Sequence, residues 1–190
     1  FRPDLIISAG FAGGTTTGMR SGEVFVCDQL MAVTGPPFLW NRCDAMQTTD
    51  VELLARSIRG VLGDHLNFRT GACLTASTFV PTQVMKNWIG MTFNVNLIDM
   101  ESYWVNEIAC SLNTNCIVVK AVFDPVEQSM PRFIGETLEE NKLTRIIRAF
   151  RHLLSNPADT PYLVKLAGQT KVASNALTET LENITIIKTT

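Results

Sequence analysis

The chain predicts an α/β protein of three layers, α/β/α, with a central mixed sheet and further helices at its C-terminal end. Three observations carry that expectation. The run "CIVVKAVF" (116–123) is almost continuously apolar, the signature of a strand covered on both faces. Segments with helical apolar spacing alternate with such runs. Beyond Pro125 the strand signals stop and only helical patterns remain.

In chain order, Asp4 to Ser8 predicts a buried strand that ends in a glycine-rich turn, "SAGFAGG" (8–14), and 22–29 ("GEVFVCDQ") a second strand. Pro36 and Pro37 mark a loop. Thr49 or Asp50 is placed to cap a helix with the stripe Val51, Leu54, Ile58, Val61 and Leu62. A strand follows over 67–77, and Pro81 starts a short helix reaching Trp88. Asn94 to Ile98 reads as a short strand, and from Met100 the apolar residues Val105, Ile108, Ala109 and Leu112 predict a helix with Glu101 in its first turn. The apolar strand 116–123 closes the set, stopped by Asp124 and Pro125. A polar loop over 126–139 precedes helical patterns at 140–154 and 161–183. The organisation is therefore an α/β domain over 1–135 and a helical segment over 136–190 packing on it.

Composition narrows the function classes. Of 190 residues, 46% are apolar, enough for a substantial core. The 16 basic and 18 acidic residues nearly balance, so the positive field of a nucleic-acid binder is absent. The longest apolar stretches fall short of the ~20 residues that span a bilayer, so no stable membrane insertion is expected. The five cysteines include no CxxC pair, and His65 and His152 are far apart, so no metal signature is present. Cys27, Cys73 and Cys116 lie in strand-like runs and are expected as buried reduced thiols, as in a reducing, cytoplasmic compartment. The opening "FRPDLIISAG" starts almost inside a strand without a leader pattern, which reads as a chain whose N-terminal strands are missing.

Chemical groups gather at three expected strand ends: the glycines of "SAGFAGG", the acids of "DMES" (99–102), and Asp124 of "KAVFD" (120–124). The carboxyl ends of strands are where open α/β sheets bind ligands. Each group also has a plainer explanation. An acid at a helix start caps it, glycines make turns, and Asp before Pro is a turn residue. Taken in this order, the three resemble the nucleoside phosphorylase and nucleosidase superfamily, whose members show a Gly-rich turn, a "(D/E)ME(S/A)" turn and an "(S)D" strand end. The helix, Pro loop, long helix pattern of the tail is similar to the branch that includes hopanoid-associated nucleosidases acting on adenosylated lipids.

The resemblance implies cleavage of the bond between ribose and a purine, without a cofactor, in a homodimer that binds a small nucleoside. It implies that Glu101 holds the ribose hydroxyls, that Met100 packs on the sugar, and that Gly10 and Phe11 belong to the substrate-binding turn. A fixed carboxylate there favours the cation-like sugar of the transition state over the neutral substrate. It further implies Asp124 as general acid toward the departing base, Phe79 beneath the base and Val80 presenting backbone groups to its edge. Departures from the pattern are Phe11 where Ser or Thr often helps bind phosphate, Phe123 where Ser usually precedes the acid, and Lys120 where Arg is common. Phe11 speaks against a phosphate site, whereas Phe123 and Lys120 speak for a domain that has lost turnover; the resemblance as a whole implies a purine nucleosidase acting on an adenine nucleoside with a 5′-substituted ribose. The alternatives are a phosphorylase using phosphate and an inactive nucleoside-binding domain.

Overall fold

A computed structural model describes residues 3–33, 44–47, 68–129 and 160–189. Strands β1 (Leu5–Gly14), β2 (Val24–Val33), β3 (Asp44–Gln47), β4 (Phe68–Ala76), β5 (Leu97–Asp99) and β6 (Asn115–Asp124) form one mixed sheet in the order β3-β2-β4-β5-β1-β6. β1 runs parallel to β6 and antiparallel to β5, while β4 is parallel to both β2 and β5. β2 changes partners along its length. Its first residues, Val24–Val26, pair antiparallel with β6, and after a bulge at Asp28 residues 29–32 pair with β3. That bulge bends the strand, and the β2–β6 pairing curls the sheet until it closes on itself.

Helices α1 (Gln83–Phe93), α2 (Ser102–Ser111) and α3 (Thr160–Thr189) cover the sheet, as the mixed-sheet expectation requires. One cluster joins Ala12, Cys73, Leu97, Val118 and Val122 to Tyr103 and Ala109 of α2. A second joins Leu74, Val80 and Ile98 to Ile89 of α1, and a third lays Ala173 and Ile184 of α3 on Val24, Val26, Val119 and Ala121. Cys27, Cys73 and Cys116 are buried thiols, as expected.

Several local expectations are corrected. The glycine-rich segment is not a turn, because β1 continues through Gly14. The glycines are needed for close approach instead: a Cβ on Gly13 would lie 3.0 Å from Asp124 Oδ1, and one on Gly14 3.2 Å from Met19 Sδ. The helix expected to start at Pro81 and end at Trp88 starts after Thr82, whose hydroxyl accepts from Met85 N–H, and runs on to Phe93. Asn94, expected in a strand, closes that helix with φ 54°, a left-handed conformation its short polar side chain tolerates. β5 is therefore confined to three residues. α2 turns only part of its expected stripe inward: Ala109 is buried and Val105 packs on the core, whereas Ile108 and Leu112 are exposed and Tyr103 and Asn106 are buried instead. β3 was not foreseen. The expected loop at Pro36 and Pro37 and the expected helices at 51–62 and 140–154 lie outside the described residues.

Candidate active site

The candidate site is built where β5, β1 and β6 lie side by side. Glu101 follows the end of β5, Asp124 ends β6, and the glycine-rich half of β1 lies between them. Two strand spacings set these flanking strands roughly 10 Å apart. A Cβ on Gly10 would lie 3.3 Å from Lys120 Nζ and 4.0 Å from Glu101 Oε1, and one on Gly13 only 3.0 Å from Asp124 Oδ1. Gly10 and Gly13, three residues apart on β1, present opposite faces of the sheet: Gly10 faces Lys120 and Glu101, and Gly13 faces Asp124 and Ile98 on the side of α1.

On the β5 side, the capping explanation falls to Asp99 and not to Glu101. Asp99 Oδ2 accepts from Ser102 N–H at 3.1 Å and, at short range, from the Ser102 hydroxyl, while Oδ1 accepts from Thr75 Oγ1 at 2.7 Å. Thr75 Oγ1 in turn accepts from Tyr103 N–H at 3.0 Å. Asp99 is thereby buried and committed to holding the start of α2. Glu101 stands just before that helix with φ −139°, ψ −24° and makes no side-chain cap bond; its Oε2 folds back to accept from Met100 N–H at 3.2 Å. Its side chain is 61% exposed and Met100 is half-exposed beside it. A carboxylate released from capping at a strand end is available to a ligand.

Lys120 lies beneath. Its Nζ meets Asp99 Oδ2 at 2.8 Å, an ion pair rather than a well-aligned hydrogen bond, and Glu101 Oε1 at 3.9 Å. Burial works to strip its proton, but Asp99, aided by Glu101, outweighs that and holds the ammonium above its ordinary pKa. Nearby, a hydrogen bond with Cys27, then burial and Asp99, push the Cys73 thiol well up, so it carries no thiolate for nucleophilic chemistry.

On the β6 side, the register opposes Val122 to Ala12 but Asp124 to Gly13, so Phe123 is the extra residue of a bulge. A bulge re-aims the side chain after it. Asp124 is turned onto Gly13 and toward α1, where Lys86 Nζ donates to its Oδ2 at 2.9 Å. Burial raises the Asp124 pKa above the ordinary carboxylate value, and the Lys86 ammonium opposes this without cancelling it. The ring of the bulged Phe123 sits 6.0 Å from that of Phe11, tilted by 40°.

Of the other expected site residues, Phe79 and Val80 lie in the loop between β4 and α1. Phe79 is half-buried, and the Val80 side chain goes into the core against α1. Lys86 and the capping role of Asp99 were missed. A signal for Lys86 existed: Lys86, Ile89 and Phe93 share a helical stripe, and a lysine on a stripe that buries Ile89 needs an anion opposite.

Comparison with known proteins gives the arrangement a context. A Helicobacter pylori futalosine hydrolase mutant superposes over 96% of this chain and 68% of its own, with TM-score 0.61 at 13% identity. The 5′-methylthioadenosine/S-adenosylhomocysteine nucleosidase of Neisseria meningitidis, solved with methylthio-immucillin-A, covers 96% and 69%, with TM-score 0.63 at 16% identity. The S. pneumoniae nucleosidase of the same specificity, solved with the transition-state inhibitor MT-ImmA, covers 65% and 58%, with TM-score 0.53 at 23% identity. The chain thus spans between just over half and about two thirds of the length of these structures. At the level of sequence, residues 1–155 match the profile of the Phosphorylase superfamily, and on that match the chain belongs to this superfamily.

Proposed function

We propose that the chain is a purine nucleosidase, which hydrolyses the N-glycosidic bond of an adenine nucleoside carrying a 5′-substituted ribose. The observation that carries this reading is the pair of acids flanking β1, Glu101 beside Gly10 and a buried Asp124 beside Gly13. Their environments differ as two roles demand. Glu101 is exposed and suits the ribose hydroxyls, with Met100 against the sugar. Burial raises the pKa of Asp124, which suits a group that must carry a proton to the leaving base. Phe79 and Val80 line the base in this reading, and Gly10 and Phe11 line the floor.

Water is favoured over phosphate as nucleophile, because the exposed Phe11 ring offers no donor where an anion would bind. The enzyme works as a cytoplasmic homodimer in this reading. The specificities printed for the Neisseria and S. pneumoniae relatives support an adenine nucleoside with a thioether at the 5′ carbon as first substrate to test. The test is incubation with 5′-methylthioadenosine and other adenine nucleosides, with and without phosphate, while free adenine is followed. Release independent of phosphate is expected. Release only with phosphate would identify a phosphorylase, and no release from any nucleoside that binds would identify a binding domain. In Asp124→Asn, cleavage is expected to fall by about 10²- to 10⁴-fold while nucleoside binding largely persists.

A further inference from the structure

Lys86 donates to three acceptors: Asp124 Oδ2 at 2.9 Å, Pro125 O at 2.9 Å and Gln128 O at 2.7 Å. Only an ammonium has three N–H donors; a neutral amine would leave one of these acceptors facing a lone pair. The side chain is fully buried, as Asp124 nearly is, so the pair is shielded from water and from salt. The contacts are also asymmetric. Lys86 takes Oδ2, whereas Oδ1 is the oxygen turned to Gly13 on the glycine-rich strand.

We infer that Lys86 is the positioning residue of Asp124: its fixed ammonium ties down Oδ2, so that Oδ1 carries and delivers the proton, and it sets the pH at which that proton is held. This deepens the nucleosidase reading and rests on it for the word deliver. Lys86 itself has no free donor and sits behind the acid, so it acts through Asp124. Lys86 is the charged group that acts on Asp124 among the described residues, and Asp124 Oδ1 lies against Gly13 of β1. Glu127 is the further carboxylate near Lys86, and its Oε1 is held by Gly18 N–H at 2.8 Å on the surface. Lys86 therefore dominates the charge felt by Asp124, and burial alone opposes it.

The test follows the Asp124 carboxyl carbon by NMR through a pH titration, with the resonance assigned by its absence in Asp124→Asn. In Lys86→Met the midpoint is expected to rise by about 1–3 pH units, the effect of removing an adjacent opposite charge. Lys86→Arg is expected to return it close to the wild-type value. In parallel, the high-pH fall of the cleavage rate is expected to move up by the same amount in Lys86→Met, since only protonated Asp124 donates. A merely structural lysine would lower the rate without moving either midpoint. An unmoved carboxyl midpoint in folded Lys86→Met overturns the inference. A carboxyl midpoint that moves while the rate profile does not would uphold the hold of Lys86 on Asp124 and overturn the acid role of Asp124. Should Lys86→Met not fold, the wild type decides: the Lys86 Nζ resonance must shift with the same midpoint as Asp124, and a flat Nζ titration overturns the inference.

Discussion

At the scale of single residues, the two acids of the candidate site differ in what holds them, and their variants are expected to fail differently. Glu101 makes no cap bond and its side chain is largely exposed, so Glu101→Gln has little to disturb in the fold. It removes the charge that favours a cation-like sugar, so turnover should fall more than substrate affinity, with an unchanged melting temperature. Steady-state kinetics beside a thermal melt checks this; equal losses in turnover and in stability would make Glu101 structural. Asp124 and Lys86 form a buried pair, and removing one partner of such a pair costs about 3–5 kcal/mol. Lys86→Met should show that loss at neutral pH in urea unfolding. The sign of its pH dependence follows from Asp124, whose folded pKa lies above its ordinary value. The stability it contributes is present below the unfolded value and is lost as pH rises through the folded one. Without Lys86 the acid escapes the cost by taking up a proton, so the deficit of Lys86→Met should shrink as pH is lowered toward the ordinary carboxylate range. A deficit that grows on acidification would contradict the pairing.

At the scale of elements, the site depends on how tightly α1 is held to β1. Gly90 is the closest point, because a Cβ there would lie 2.6 Å from the Thr15 carbonyl oxygen, just beyond the end of β1. In an exposed helix, Gly→Ala stabilises by about 1 kcal/mol. Here the neighbour is backbone, which moves only if the helix moves, so the steric term wins at about 1–3 kcal/mol of destabilisation. Gly90→Ala is thus expected to lower stability and, because α1 carries Lys86, to lower the cleavage rate as well. A stabilised variant would mean that the helix shifts freely. The bulge at Phe123 is the second device of this kind. Without the extra residue Asp124 would fall out of register with Gly13, and the acid would lose its place against α1.

At the scale of the whole molecule, the sheet closes through β2 and β6, and α3 covers the seam. Ala173, Ala176, Leu177, Leu181 and Ile184 lie on Val24, Val26, Ile117, Val119 and Ala121. Ala173 is fully buried, so Ala173→Asp would place a charge against the apolar face of β6. Loss of soluble, folded protein is expected, read by the yield in the soluble fraction and by circular dichroism. A folded, soluble Ala173→Asp would show that the sheet does not need α3. None of the described helices is long and apolar enough to cross a membrane, and the long α3 is occupied on its apolar side by the sheet.

Local sequence determined β1, β2, β4, α1, β5, α2 and β6, though not β3, because their signals are short-range: apolar runs, helical spacing, and breakers such as Pro125. It also located Glu101 and Asp124, since both stand at ends of elements that can be read residue by residue. Tertiary structure alone decided what those acids touch. Whether Asp99 or Glu101 caps α2 depends on Thr75, 24 residues away from Asp99, and on Lys120 from another strand. The partner of Asp124 is Lys86, 38 residues earlier in the chain, brought to it by packing of α1 on the sheet and by a bulge that no local pattern announces. The same holds for the glycines of "SAGFAGG", which read locally as a turn. Their lack of a side chain is used within a strand, because two neighbouring strands bring carboxylates and a lysine against it, and that proximity exists only once the sheet has formed.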